Sequence, residues 1–505
     1  MRRRHLILAL GAGALLVGAL PTQIAHASGP TLYVSPFGSD TGGCTTASSP
    51  CQTITYALAQ SADGDTISLA RGAYVEQVEI TDSVKIVGAG EGDTTIVAPS
   101  TLVANSQASA QPMPPGCTNC LGETYIVDVD DSGPSGEVPT VSMSNLTVAG
   151  PGPVQTGGVD CVPSDADVLA TGIDVWGGAT LHLSRTAVED IYDRPINGCG
   201  TGEAISIGSG CLTCSQDTGI VTLSGVKVSA YQQDGVAVRG LDSSLSVLNT
   251  NVLNNPNPDT ATTGIEIDNS AYANITRATI TGNECNDAPC GPPVTGQDIY
   301  DSTGSTTFTA TTATDPAASW TANYANDTVT AGSSSSIIKS NTTNTLTLTD
   351  GDWTNGIPAA GTPFTITSAP ILSSLMGTGI AINGGAPSTK ITKVTITGND
   401  AGVVDNVGVS LTGSNLDNNR FVAVEVGSAT MSGVYKSDKA ISVTSGADQY
   451  GFLVEGRTFD TFSNDTATGN AVDDMFLYIT APDTNTYSTN TCTLASPSTT
   501  YWDCT

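Results

Sequence analysis

Apolar and polar residues alternate in short runs along most of the chain, and the runs recur. The clearest is Gly264 to Asn283, GIEIDNSAYANITRATITGN, which reads as Gly-Ile-x-Ile, a polar corner, Ile-Thr-x-x-Thr-Ile and then Gly-Asn. Related starts are GIDVWG from Gly172, GVAVRG from Gly235, GIAING from Gly379 and GFLVEG from Gly451. Period-two alternation marks a strand with one buried face. Short strands repeating every few tens of residues predict a solenoid, whose stacked turns share one core. Aligned on the Gly, the strands give two inward columns. One holds Ile173, Ile205, Val236, Ile265, Ile380 and Phe452, the other Val175, Ile207, Val238, Ile267, Ile382 and Val454. The outward columns are Asp174, Ser206, Ala237, Glu266 and Ala381, then Trp176, Gly208, Arg239, Asp268, Asn383 and Glu455.

Residues 1–27 read as a secretory signal. Arg2, Arg3 and Arg4 precede an apolar run from Leu6 to Leu20, and Ala25-His26-Ala27 fits a cleavage site before Ser28. The run is shorter than the ~20 residues of a spanning helix. This predicts export with cleavage, to the extracellular space or cell surface, and no membrane span afterwards. Residues 28–315 predict the N-terminal part of the solenoid. Ile54, Ala57 and Leu58 share one face of a short helix over 53–60, a cap for the otherwise bare first strand edge. Residues 316–369 break the pattern: SWTANYANDTVTAG, SIIKSNTTNTLTLTDGDW and AAGTPFTI predict three or four hairpin strands in a small inserted β module. The solenoid resumes over 370–480, and 481–505 forms a C-terminal cap or tail holding Cys492 and Cys504.

Composition agrees with a turn-rich β protein: charged residues are 13%, aromatics 5%, and there are 55 glycines. The net charge is -31, and loss of the signal's three arginines makes it more negative still. Such a surface repels nucleic acid and anionic headgroups, and hinders polyuronates unless cations bridge. Twelve cysteines in an exported chain predict disulfides. The near pairs are Cys44 with Cys51, Cys117 with Cys120, Cys211 with Cys214, Cys285 with Cys290, and Cys492 with Cys504. Cys161 and Cys199 are spaced like neighbours on successive coils. The two C-x-x-C strings leave zinc as an alternative, and connectivity stays open.

His182 is the only histidine outside the signal, and it lies between Leu181 and Leu183, so it is expected to face solvent. Trp176, Arg239, Glu266, Asp268 and Asn383 fall on one flat face and are the candidate sugar-binding set. Glu266 and Asp268, two residues apart, would stand ~6.6–6.8 Å from each other. That is near the lower edge for an inverting carboxylate pair, with Arg239 one coil away to separate their roles. The alternative is a cross-strand ion pair between Arg239 and Asp268, with Trp176 packed under a loop. Asp128-Val129-Asp130-Asp131 is a calcium candidate without EF-hand spacing, and no other cofactor is expected. Glu189 to Arg194 reads as a solvated corner.

Over residues 31–98, LYVSPFGSDTGGC, SPCQTITYALAQSADGDTISLARGAYVEQVEI and VKIVGAG resemble the opening of extracellular right-handed parallel β-helix proteins of the pectin-lyase-like superfold. The resemblance implies an all-β, right-handed parallel β-helix and a polysaccharide partner. The G-x-Y-x-E string at Gly72 to Glu76 also occurs in pectin methylesterases, but the paired-Asp segments of that family are absent. It is therefore expected to be structural, a turn Gly and a packed Tyr. The polygalacturonase pattern of clustered Asp, Gly-His-Gly and Arg-Ile-Lys is also missing. The leading expectation is a secreted or cell-surface protein that binds extracellular polysaccharide without turnover. A polysaccharide hydrolase or lyase is the second, and a structural adhesin the third, since the fold hosts all of them.

Overall fold

The computed structural model describes residues 29–104, 123–133, 137–155, 162, 165–196, 201–208, 218–254, 262–285, 298–302, 305–320, 328–348, 353, 356–367, 377–384, 388–427, 433–441, 450–455, 460–470, 473–478, 485–493, 495–496 and 503–504. The expected signal at 1–27 lies outside the described residues. So do Cys117, Cys120, Cys161, Cys199, Cys211, Cys214 and Cys290. The disulfides expected of Cys117 with Cys120, of Cys211 with Cys214 and of Cys161 with Cys199 therefore also fall outside them.

Each coil visits three parallel sheets, numbered here in the order it meets them. Thr171–Val175, Thr180–Ser184 and Ala187–Ile191 make one coil, and Glu203–Ile207, Ile220–Ser224 and Lys227–Tyr231 the next. Sheet 1 has 12 strands and sheet 2 has 13; sheet 3 has 8, continued by a 3-stranded piece. Single bridges from Thr395 to Asn415 and from Asn415 to Lys439 join the two parts of sheet 3. The inward columns stack in register, Ile173 on Ile205, Val236 on Ile265 and Ile265 on Ile380. All of these are fully buried. His182, between the buried Leu181 and Leu183, is exposed.

Two corner rules hold the coils in phase. Between sheets 2 and 3 the chain turns in two residues, the first with positive φ: Asn145, Arg185, Gly225, Asn249, Arg277 and Lys393 repeat it in successive coils. At the start of sheet 1, a Cβ on Gly235 would lie 2.6 Å from the Gly264 carbonyl oxygen, and one on Gly264 2.5 Å from that of Gly379. The Gly of each Gly-Ile-x-Ile is thus required by close approach of the next coil. The strand pairing skips this position, so the chain bends there.

The N-terminal helix, Ile54–Leu58, buries Ile54 and Ala57 against the first coil. Thr53 caps it by accepting the Tyr56 N–H at 3.1 Å. Glu76 supplies a second cap, accepting the Ile54 and Thr55 N–H groups at 2.9 and 3.0 Å. The hydroxyl of the buried Tyr74 donates to the carbonyls of Val34 and Ala70. The G-x-Y-x-E string is therefore a structural clasp. Cys44 bonds Cys51, Cys492 bonds Cys504, Cys285 is also disulfide-bonded, and no described cysteine is free. Cys504 pairs as a single bridge with Asn490, at the corner after the last strand of sheet 2.

The inserted module is larger than the hairpin pattern indicated. Its seven-stranded antiparallel sheet opens at Asp298–Asp301 and closes at Phe364–Thr367. The first three strands look like coil strands in sequence because both have period two; only their antiparallel pairing separates them. Trp320, Trp353, Phe364 and Ile366 give the module its own core. It interrupts the chain between Thr279–Thr281 and Thr378–Ile382, yet the coils on either side stay paired through Ile265 and Ile380. Excising 298–367 behind a short linker is expected to leave a β-rich protein that melts cooperatively. Loss of cooperative melting by circular dichroism would show that the module belongs to the main core.

Candidate functional site

Sheet 1 places the chemistry. Its register sets Arg239 beside Asp268, and Glu266 beside Ala237 and Ala381. Arg239, at the end of Asp234–Arg239, reaches back over its own strand and both neighbours. Its Nη1 donates to Glu203 at 2.9 Å, its Nη2 to Asp234 at 3.1 Å and to Glu266 at 2.5 Å, and its Nε to Glu266 at 3.0 Å. The side chains are 17% exposed for Arg239, 10% for Glu203, 4% for Asp234 and 20% for Glu266. Glu266 and Arg239 thus form the open side of the cluster, and Asp234 its floor. The exposed amide of Asn383 adjoins Glu266 at 3.5 Å and accepts from Asn406 at 3.3 Å.

The cluster holds more negative charge than one guanidinium neutralises. Burial pushes Asp234 well above the usual carboxylate range, the charges of Glu266 and Glu203 push it further, and Arg239 offsets them only in part. Glu123, bonded to the Thr171 hydroxyl at 3.3 Å, is pushed up to about 7 by burial and by Glu203. Burial works against the charge on Arg239, but its three carboxylate partners more than offset that and keep it protonated.

Of the expected set, Arg239, Glu266 and Asn383 come together, and two members do not join them. The Asp268 carboxylate accepts its neighbour's N–H, that of Asn269, at 2.7 Å, and forms no ion pair with Arg239 among the described residues. Asp268 therefore does not join the Arg239 cluster, and the cross-strand ion pair of Arg239 with Asp268 does not form. Trp176 is not an exposed platform: it is 7% exposed, and its indole N–H donates to Asp128 at 2.9 Å. Asp174, Ser206 and Ala237, expected on an open face, are buried as well. Asp128 and Asp130 are both buried. Burial, then Asp174 and Asp130, raise Asp128, while Asp130 accepts the Ser132 N–H at 2.7 Å. Among the described residues no group of three or more His, Cys, Asp or Glu is arranged to hold a metal ion. The corner at Glu189 to Arg194 is not simply solvated. Asp193 is fully buried and accepts the Leu169 N–H at 2.8 Å and the Thr201 hydroxyl at 2.7 Å.

The strand pattern alone does not reach Glu203, Asp234 and Glu123. Strict alternation from Val236 and Val238 puts Asp234 inside, and from Ile205 it puts Glu203 inside. The bend at Gly235 and its counterparts moves the preceding residue to the outer face. The signal is present in part: an acidic residue directly before the Gly or Ala of the repeat, Glu203-Ala204 and Asp234-Gly235.

No protein-family model matches the chain, and no curated protein does. Solved structures similar to it include a pectate lyase at 14% identity, covering 52% of this chain and 68% of that one, with a TM-score of 0.31. A periplasmic alginate epimerase is similar at 8% identity over 84% and 70% of the two chains, TM-score 0.38. A lacto-N-biosidase from Eubacterium ramulus is similar at 13% identity over 92% and 65%, TM-score 0.41. At these identities the likeness concerns fold alone. Three parallel sheets wound about one axis, with the right-handed crossovers of parallel strands, make the chain a right-handed parallel β-helix.

Proposed function

We propose that this is an exported protein that cleaves glycosidic bonds, with Asp234 and Glu266 as the carboxyl pair. The observation that carries the reading is their common partner. One nitrogen of Arg239 donates to Asp234 at 3.1 Å and to Glu266 at 2.5 Å. Two carboxyl oxygens on one planar nitrogen stand close to the ~5–5.5 Å of a retaining pair. Their surroundings also differ. Buried Asp234 favours its protonated form and suits the acid; Glu266, more open and gripped by two guanidinium hydrogen bonds, suits the nucleophile. Binding without turnover loses one expected element, the stacking platform, because Trp176 is buried.

The charge narrows the sugar. Every nitrogen of Arg239 is engaged by a carboxylate, and among the described residues no other cation pairs with Glu203, Asp234 or Glu266. A uronate would meet repulsion with no free guanidinium to receive it, so neutral or amino sugars fit better. Incubation with acidic, neutral and amino polysaccharides, read as new reducing ends, is expected to show turnover of the latter two classes. Retention at the anomeric centre is expected by NMR. Unsaturated ends, or turnover confined to polyuronates, would refute the assignment; binding with no new ends on any glycan would return the protein to a binding role.

A further inference from the structure

The second residue of the corner between sheets 2 and 3 is buried in successive coils, and its chemistry changes along the axis. It is Leu146, Thr186, Val226, Thr250, Ala278 and Val394 in the earlier coils, then Ser414, Asp438, Asp465 and Asn490. In the last coils this side chain ties each turn to the one before. The Ser414 N–H donates to Asp438 Oδ1 at 2.7 Å, the Asp438 N–H to Asp465 Oδ1 at 2.9 Å, and the Asp465 N–H to Asn490 Oδ1 at 3.1 Å. Asp438 Oδ2 also accepts the Lys436 N–H at 2.9 Å, and Asp465 Oδ2 is buried with no hydrogen-bond partner among the described residues.

Two carboxyls one strand spacing apart, ~4.8 Å, in a dry core cannot both ionise cheaply. The groups around them do not supply a counter-charge. Ser414 and Asn490 in the same column are uncharged, and Lys436 and Lys439 on the same coil are exposed. Across the core, Asp405 accepts the Tyr435 hydroxyl at 2.6 Å and Asp460 accepts the Gly433 N–H at 2.5 Å, adding acids and no base.

We propose that the C-terminal coils are a pH-sensitive end of the solenoid. Protonated Asp438 and Asp465 keep these coils stacked, and their ionisation loosens this end while the coils with uncharged corners hold. Burial, then the charge of Asp465, pushes Asp438 up to about 8, and burial pushes Asp465 up to about 7. Both lie above the ~3.9 of an unfolded aspartate, so the folded state binds more protons between those values. The stabilisation is complete below about pH 4 and is lost as pH rises through about 7 and 8.

Hydrogen exchange of the full-length protein at pH 5, 7 and 9, corrected for intrinsic rates, tests this. Peptides spanning 434–441 and 461–468 are expected to lose protection about tenfold or more between pH 5 and 9, the equivalent of one pKa unit. Peptides over 171–191 and 220–248 are expected to change little. Asp465→Asn copies Asn490 of the next coil, and Asp438→Ser copies Ser414 of the previous one. Each is expected to remove much of the local pH response. A uniform loss along the chain, or an unchanged response in both variants, overturns the proposal. If Asp438→Ser fails to fold, Asp465→Asn and the wild-type profile still decide it.

Discussion

Replacing Glu266 with Gln is expected to lower turnover of a cleaved glycan by about 10²–10⁴-fold, the usual contribution of one catalytic carboxyl. The change is nearly isosteric. Glu266 is the most open member of the cluster, so its amide can keep accepting from Arg239 while losing nucleophilicity. Thermal stability should change little, and KM should change less than kcat, because the carboxylate acts on the transition state. Asp234→Asn should also lower kcat, with loss of the alkaline limb of the pH–rate profile and with poor leaving groups most affected. A Glu266→Gln enzyme with wild-type kcat on a substrate the protein demonstrably cleaves would move the chemistry elsewhere.

Replacing Arg239 with Met is expected to destabilise the fold by about 3–5 kcal/mol at neutral pH, the range for breaking a buried ionic network by removing one partner. The guanidinium is 17% exposed and serves three carboxylates, so its loss leaves Glu203, Asp234 and Glu266 facing one another. The deficit should shrink as pH falls, because protonation relieves that repulsion. Glu203→Gln should partly restore Arg239→Met, giving a double variant more stable than the single effects add up to. Urea unfolding at pH 5 and 8 measures both. A loss of less than about 1 kcal/mol with no pH dependence would mean that the cluster is not a coupled unit.

The path of the chain is legible in the sequence because its signals are local and repeated. Gly-Ile-x-Ile, the two-residue corner and Gly-Asn each recur, and each has one steric or hydrogen-bonding cause. Asn283 and Asn399, from the Gly-Asn of successive repeats, stack with Asn399 accepting from Asn283 at 2.9 Å. The site is legible only in part. Arg239, Glu266 and Asn383 obey the alternation and stand out in it. Glu203 and Asp234 sit just before a bend that the alternation does not contain, and Glu123 lies before its strand begins. Trp176 obeys the alternation and still misleads, because outward on a strand does not mean open to solvent: its indole N–H turns to the buried Asp128 of the preceding coil. Asp438 and Asp465 look like ordinary turn residues in sequence; only the coil-to-coil stacking shows that they face the core.

The placement of the inserted module bears on how the chain reaches this structure. Strands Thr263–Asp268 and Thr378–Ile382 are adjacent rungs, yet residues 282–377 must be spanned between the coil that ends at Thr281 and the next. A flexible connection of that length costs about 1 kcal/mol more to close than an ordinary coil, at ~0.6 kcal/mol per doubling. A module with its own tryptophan-lined core can fold first and present the search with a short effective loop. Coil stacking can then cross the insertion without waiting for a long chain to find its partner. By this route destabilising the module, for example at Trp353, would slow refolding of the C-terminal coils more than it would weaken them at equilibrium.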